Sequence, residues 1–354
     1  MSAILTGAYG RLKALSTNLL SNDYITSLLN LGGVNEVAEA LARTWYGEDI
    51  EALATLYRPP ELIEVALNRH LARLNALSVS LAPYHSRGPV RAYLAKWDLY
   101  NIELLLAAKA QGRTVGETES FFVSSRNLPV SETGANIPFG ELRALLQQPD
   151  IESIANYLVK YGYGATLLQE LPRYRESQDL GIFSTALSKS YFARLMWELR
   201  FLRGDEGPLR EYFRAQISKQ NLLKTLKALG AHVPRDVLGE HLVEEGFLGA
   251  QKILEIYSAG SLDEMLQFFS AWLGSQDIFE DYRKNRNLSN LEVKLDQHVE
   301  SSYVEALRGN SLSLSTVILF LIFAELERRN IRTVVYGKKN RLAAEDIRRF
   351  LVMV

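Results

Sequence analysis

The sequence predicts an all-α protein made of three similar helical domains, and three observations lead there. Apolar residues recur three and four apart along most of the chain, with leucine and alanine well ahead of runs of valine, isoleucine and threonine. No sustained apolar–polar alternation marks a half-buried strand. One pattern also recurs three times, in units of about 110 residues, which is larger than solenoid repeats. At 354 residues the chain exceeds a usual domain, so several packed units are expected.

Taken in order, the N-terminal run MSAILTGAYGRLKAL lacks a basic flank leading into a long apolar core, so no cleaved secretory signal is expected. Asn35–Thr44, Leu187–Leu202 and Leu262–Trp272 each read as a helix with one apolar face. Turn signals at Arg58-Pro59-Pro60, Gly204 to Pro208 and Val233-Pro234 separate the helices. Leu312–Ala324 is the most apolar segment, but it is shorter than the roughly 20 residues a membrane span needs, and Glu325 and Glu327 follow at once. It reads as a buried helix.

The copies align through three asparagines. Asn101 follows Leu67 by 34 residues, Asn221 follows Leu187 by 34, and Asn330 follows Leu295 by 35. Upstream, LLNLGGVNEVAEALARTWYG ending at Gly47 aligns without a gap to LLQQPDIESIANYLVKYGYG ending at Gly164, with SLDEMLQFFSAWLG ending at Gly274 as a weaker relative. After the asparagines come Gly112, Gly230 and Gly337, expected as left-handed helix stops, and then Asp236-Val237 and Asp346-Ile347 as a matching pair. The division is 1–125, 126–242 and 243–354. Like surfaces meet in like ways, so a pseudo-threefold ring or funnel is expected, with a concave surface that a shaft or helical partner could enter.

Composition narrows the chemistry. A net charge of -1 gives no whole-protein attraction for polyanions, and the absence of cysteine removes disulfides, thiolate zinc sites and cysteine nucleophiles. No phosphate-binding loop of the G-x-x-x-x-G-K-S/T type is present, and Gly162-Tyr163-Gly164 lacks the third glycine and the preceding strand of a dinucleotide fingerprint. The five histidines, His70, His85, His232, His241 and His298, have no metal-ligand spacing. No catalytic, cofactor-binding or metal-binding residue is assigned, and no cofactor is expected. Asn101, Asn221 and Asn330, preceded three residues earlier by Asp98, Ser218 and Glu327, read as structural amides of the repeat, because a catalytic amide has no reason to occur three times.

The runs YGRLKAL from Tyr9, YLAKWDLYNIELLLAAKAQG from Tyr93 to Gly112, and ELERRNIRTVVYGKKNRLAAEDIRRFL from Glu325 to Leu351 resemble the C subunit of A/V-type ATPases (ATP synthases), whose counterpart in the eukaryotic V-type enzyme is the d subunit. The resemblance runs from about Tyr9 to the C-terminus, and the middle copy departs from it at Gly230 to Pro234, where the basic turn is missing. It implies a funnel of three helical domains that receives the central-stalk shaft (D/F-type subunits) and sits on the membrane proteolipid ring, without bond chemistry of its own. It also implies a peripheral place on the cytoplasmic face of a membrane, touching the membrane only through the ring. Tyr9, Tyr93 and Trp97 are partner-binding candidates by family position. Arg328, Arg329, Arg332, Lys338, Lys339 and Arg341 form a basic stretch for which a solvated face, acidic partner loops or lipid headgroups, and nucleic acid stay open; the family implies no nucleic acid. The alternative to the rotary role is a helical-repeat scaffold that binds another helical partner.

Overall fold

The computed structural model describes residues 3–126, 128, 137–200, 206–309 and 313–354, and every regular element among them is a helix. After α1 (Ala3–Leu15) comes a set of three short helices, α2 (Asn22–Ser27), α3 (Val34–Ala42) and α4 (Gly47–Leu53). Two long helices follow, α5 (Glu61–Leu81) and α6 (Arg87–Ala110), and then one short helix, α7 (Val115–Glu119). The same order returns with α8 (Phe139–Leu146), α9 (Ile151–Tyr157), α10 (Gly164–Ser177), α11 (Gly181–Leu199), α12 (Glu206–Gly230) and α13 (Arg235–His241). It returns again with α14 (Ala250–Ala259), α15 (Leu262–Leu273), α16 (Glu280–Asn285), α17 (Leu288–Arg308), α18 (Leu314–Lys339) and α19 (Ala344–Arg348).

Local chemistry sets many of these boundaries. Side chains of Ser21, Asp150, Ser261 and Asn287 accept a backbone N–H in the first turn of the helix they precede, relieving one of its unpaired donors. Thr114 and Glu117 form a reciprocal capping box on α7. The gapless upstream alignment holds in three dimensions, because Val34 and Ile151 open α3 and α9 while Gly47 and Gly164 open α4 and α10. The third copy differs there. Gly274 ends α15 at φ 66, matching Gly162 at φ 85 in conformation, and not Gly164.

The ends of the long helices correct the expected stops. Gly112 alone among the three glycines is left-handed, while Gly230 lies at the end of α12 and Gly337 inside α18. The left-handed residue instead stands 11 positions after the asparagine in every copy: Gly112 (φ 63), His232 (φ 53) and Arg341 (φ 56). Each turn closes with the paired bonds of a Schellman motif. The longer bond runs from Arg113 N to Ala108 O (2.9 Å), Val233 N to Ala228 O (2.9 Å) and Leu342 N to Gly337 O (3.0 Å). This register makes Leu238 the partner of the buried Ile347, so the expected pairing of Asp236-Val237 with Asp346-Ile347 is one residue out of step. Gly337 is needed for close approach, because a Cβ there would stand 2.5 Å from the Ile347 side chain.

The chain forms two compact units, residues 1–187 with 310–353, and residues 188–309 with Val354. In the first, Leu28, Val37, Leu41, Tyr46 and Ile50 from the first short set pack with Ile331, Val334, Val335 and Leu351 near the C-terminus. There too, α6 and α7 pack on α8, and α6 on α9. In the second, Leu222, Leu226 and Leu238 from α12 and α13 pack with Ile253, Met265, Phe269 and Leu295. Each long helix and its short follower therefore cover the three-helix set of the next copy, and the third copy covers the first. The apolar segment ahead of Glu325 is buried in α18, its part before Ser313 lying outside the described residues, as do Gly204 and Asp205 of one expected turn. No described helix is long and apolar enough to cross a membrane.

Candidate functional site

The side chains singled out by the repeat act on the chain that follows each of the helices α6, α12 and α18 and leads on to the next three-helix set. Asn101 Nδ2 donates to Val123 O (2.8 Å) while Val123 N–H donates to Asn101 Oδ1 (3.0 Å). Asn221 makes the same two bonds with Val243 (2.7 and 3.0 Å), and Asn330 with Val352 (2.8 and 2.9 Å). All three amides are buried, and all three reach a residue 22 positions on. A primary amide has one donor side and one acceptor side, which matches the N–H and C=O of a single extended residue.

One turn earlier, the residue three positions before each asparagine accepts a backbone N–H from the segment leading into the next three-helix set. Asp98 Oδ1 accepts from Ile137 (2.8 Å), Ser218 Oγ from Phe247 (2.7 Å) and Glu327 Oε2 from Leu20 (2.5 Å). Glu327 Oε1 also accepts from Tyr46 OH (2.6 Å). Burial lifts the Glu327 carboxyl from 4.5 to about 7, opposed by the hydrogen bonds from Tyr46 and Leu20. Burial and the nearby Glu327 raise the Tyr46 phenol well above its usual value.

A pH effect of definite sign follows. Because Glu327 binds its proton more tightly in the fold, its contribution to stability is fully present below pH 4.5 and is lost as pH rises through about 7. Between about pH 5 and about pH 8 this amounts to about 2 kcal/mol. Glu327→Gln mimics the protonated acid, with its NH2 donating to Tyr46 Oη and its carbonyl accepting from Leu20. Urea unfolding should show wild type losing ground to Glu327→Gln by that amount across the interval, and parallel pH profiles for the two proteins would refute the assignment.

Along the long-helix seams, Lys219 and Arg328, each two residues before the asparagine, reach the first long helix of another copy. Lys219 Nζ pairs with Asp296 (2.5 Å), and Arg328 Nε donates to Asn68 Oδ1 (2.8 Å). Arg332 Nε donates to the buried Glu64 (2.7 Å), which also lies 3.7 Å from Arg328 Nη2. Burial lowers the Arg328 guanidinium from its usual value, with Arg332 adding to the effect. Tyr336 is pushed up to about 12 by burial and by Glu64. On the second seam, burial raises Glu300, which accepts from Tyr212 OH and from Gln216 Nε2 (2.8 Å). Glu325 gathers Tyr93 OH (2.9 Å), Trp97 Nε1 (3.2 Å) and Lys96. Lys96 and Glu325 occupy the same position in their copies, five residues before the asparagine.

The partner-binding candidates therefore separate. Tyr9, Tyr93 and Arg328 are buried in the chain itself. Trp97 is half-buried on Glu325 with Arg328 against its ring, Arg332 is held by Glu64, and Lys338 donates to Leu29 O (2.9 Å) and Leu31 O. Arg329 is half-buried, and only Lys339 and Arg341 of the set are exposed. Glu64, Asn68, Lys96 and Glu325 complete these networks, although their sequence positions do not mark them as site candidates. A signal does exist for Glu64 and Asn68, polar residues four apart inside the apolar run that opens α5.

Beside Lys339 lies a cleft of about 700 Å³ lined by Leu56, Tyr57, Pro59, Pro60, Glu64 and Tyr336 among others. Of the histidines, His70 is buried against Asp49 (2.9 Å), with Arg69 on the other carboxylate oxygen, and His298 bonds Leu273 O. Among the described residues no cluster of three or more His, Asp or Glu side chains is placed to hold a metal ion.

Comparison with known proteins finds matches along nearly the whole chain. The family described as ATP synthase (C/AC39) subunit matches residues 8–350. The C subunit of the A-type ATP synthase of Thermoplasma volcanium is 32% identical over 347 residues, covering 98% of both chains. The C subunit from Thermoplasma acidophilum is 29% identical over 99% of both, and that from Methanocaldococcus jannaschii is 23% identical over 97% of this chain and 84% of its own. With a family match over residues 8–350 and a relative 32% identical over nearly the whole of both chains, the chain belongs to the ATP synthase (C/AC39) subunit family.

Proposed function

We propose that this chain is the non-catalytic central-stalk adaptor of a rotary A/V-type ATPase, linking the central shaft to the membrane proteolipid ring on the cytoplasmic face. Its task is to transmit torque, and its copies 1–125, 126–242 and 243–354 are three domains set around a pseudo-threefold axis as a funnel. The observation that supports this most is the joint repeated three times: the same amide clasp, the same backbone acceptor and the same Schellman turn at equal spacing. Side chains at equal positions of two copies meet only near a symmetry axis, and Lys96 meets Glu325.

Torque requires a coupling that resists twisting. Buried, doubly bonded joints give stiffness without any single strong contact, and broad shape complementarity with many modest contacts suits such an interface. Isolated shaft subunits should be retained by the purified chain in a pull-down at low and at moderate salt. Loss of retention at both would remove the adaptor role.

A further inference from the structure

The three Schellman turns share one hydrogen-bond pattern, so residues that differ among them mark what one copy alone does. The first turn reads Ala110-Gln111-Gly112-Arg113, the second Gly230-Ala231-His232-Val233, and the third Lys339-Asn340-Arg341-Leu342. The third differs in three ways. Leu342 is 48% exposed, whereas its counterpart Val233 packs against the core of its unit. Lys339 and Arg341 are exposed and have no carboxylate partner among the described residues. The neighbouring Arg348 and Arg349 are paired along their own helix with Glu345 (3.9 Å) and Asp346 (3.7 Å). Finally, Arg341 holds a left-handed backbone (φ 56) where the first copy has glycine and the second histidine, a residue type more tolerant of that region.

We propose that the turn Lys339–Leu342 is a docking surface for an acidic segment of a partner protein. Carboxylates of the partner meet Lys339 and Arg341, and an apolar side chain covers Leu342.

Charge and area select this occupant. A lipid surface would gain little from one half-exposed leucine, since even a whole myristoyl chain binds membranes only marginally. Two such cations also fall short of the roughly six to ten phosphate contacts of a nucleic-acid binder. An exposed apolar side chain flanked by two cations that lack carboxylates fits a short acidic, amphipathic protein segment. The surface rests on the adaptor reading only for which subunit supplies that segment.

The test uses the complex purified with the full chain. Carbodiimide treatment joins an amine to a carboxylate in contact, so an amide between Lys339 Nζ and an Asp or Glu of another subunit is expected by mass spectrometry. Lys339→Glu/Arg341→Glu should weaken binding of the chain to that subunit at least about tenfold, with a reduced salt dependence. Arg341→Gly should raise the melting temperature while weakening binding, two opposite effects that a merely structural arginine would not produce.

The docking surface is overturned if Lys339 is acetylated equally in the complex and in the isolated chain with no intersubunit cross-link. It is equally overturned if the double variant abolishes binding to phosphatidylglycerol vesicles while no protein cross-link forms. A cross-link to a subunit outside the shaft and ring would support the surface and remove the adaptor role. A successful shaft pull-down without a cross-link would do the reverse.

Discussion

Replacing Glu64 with leucine is expected to destabilise the first unit by about 3–5 kcal/mol, because it leaves the buried Arg328 without its carboxylate. Arg328 is 5% exposed and keeps its bond to Asn68 and its contacts with the Trp97 and Tyr100 rings, none of which carries a full negative charge. Arg332, which is half-buried, loses its 2.7 Å partner as well. The loss comes mainly from an uncompensated buried charge, so removing the charge should restore most of it. The double variant Glu64→Leu/Arg328→Met should recover at least half of the lost stability, and denaturant unfolding of the four proteins of this cycle measures it. If the double variant is as unstable as the single one, packing at this crossing matters more than charge.

Asn330→Ala is the second large effect, at about 3 kcal/mol. It leaves both the N–H and the C=O of Val352 without partners, and Val352 is 1% exposed, so water cannot replace the amide. Asn221→Ala should act alike on the second unit through Val243, also 1% exposed. Equal costs at the two sites would show that the clasp belongs to the repeat. A variant with normal thermal stability but weakened shaft binding would instead place Asn330 in an interface.

The helical class was legible in the sequence because it depends on short spacings along one helix, and the three asparagines because one residue type recurs at a matching place in each copy. Residues four apart share a face whatever the tertiary fold. The helix stops were harder, since the left-handed position is taken by Gly112 in one copy but by His232 and Arg341 in the others, where residue type gives a weak cue at histidine and none at arginine. Glycines nearby draw the register to the wrong places, and Gly337 serves contact with Ile347 instead. The basic stretch shows a deeper limit. Arg328, Arg332 and Lys338 look like surface charges in one dimension, yet Glu64, Asn68 and two backbone carbonyls bind them from the other end of the chain. The packing of α18 on α5 and on the Leu29–Leu31 segment distinguishes them from Lys339 and Arg341.

The closure of the first copy by the third also orders events on the ribosome. Helices α2 to α4 emerge well before the residues that cover them, Ile331, Val334, Val335 and Leu351. Until then Leu28, Val37 and Leu41 have no complete core, and Glu327 has not yet engaged Leu20. Nascent chains stalled before α18 would therefore carry an open apolar face near their N-terminus, and that segment is where chaperone engagement during synthesis should concentrate.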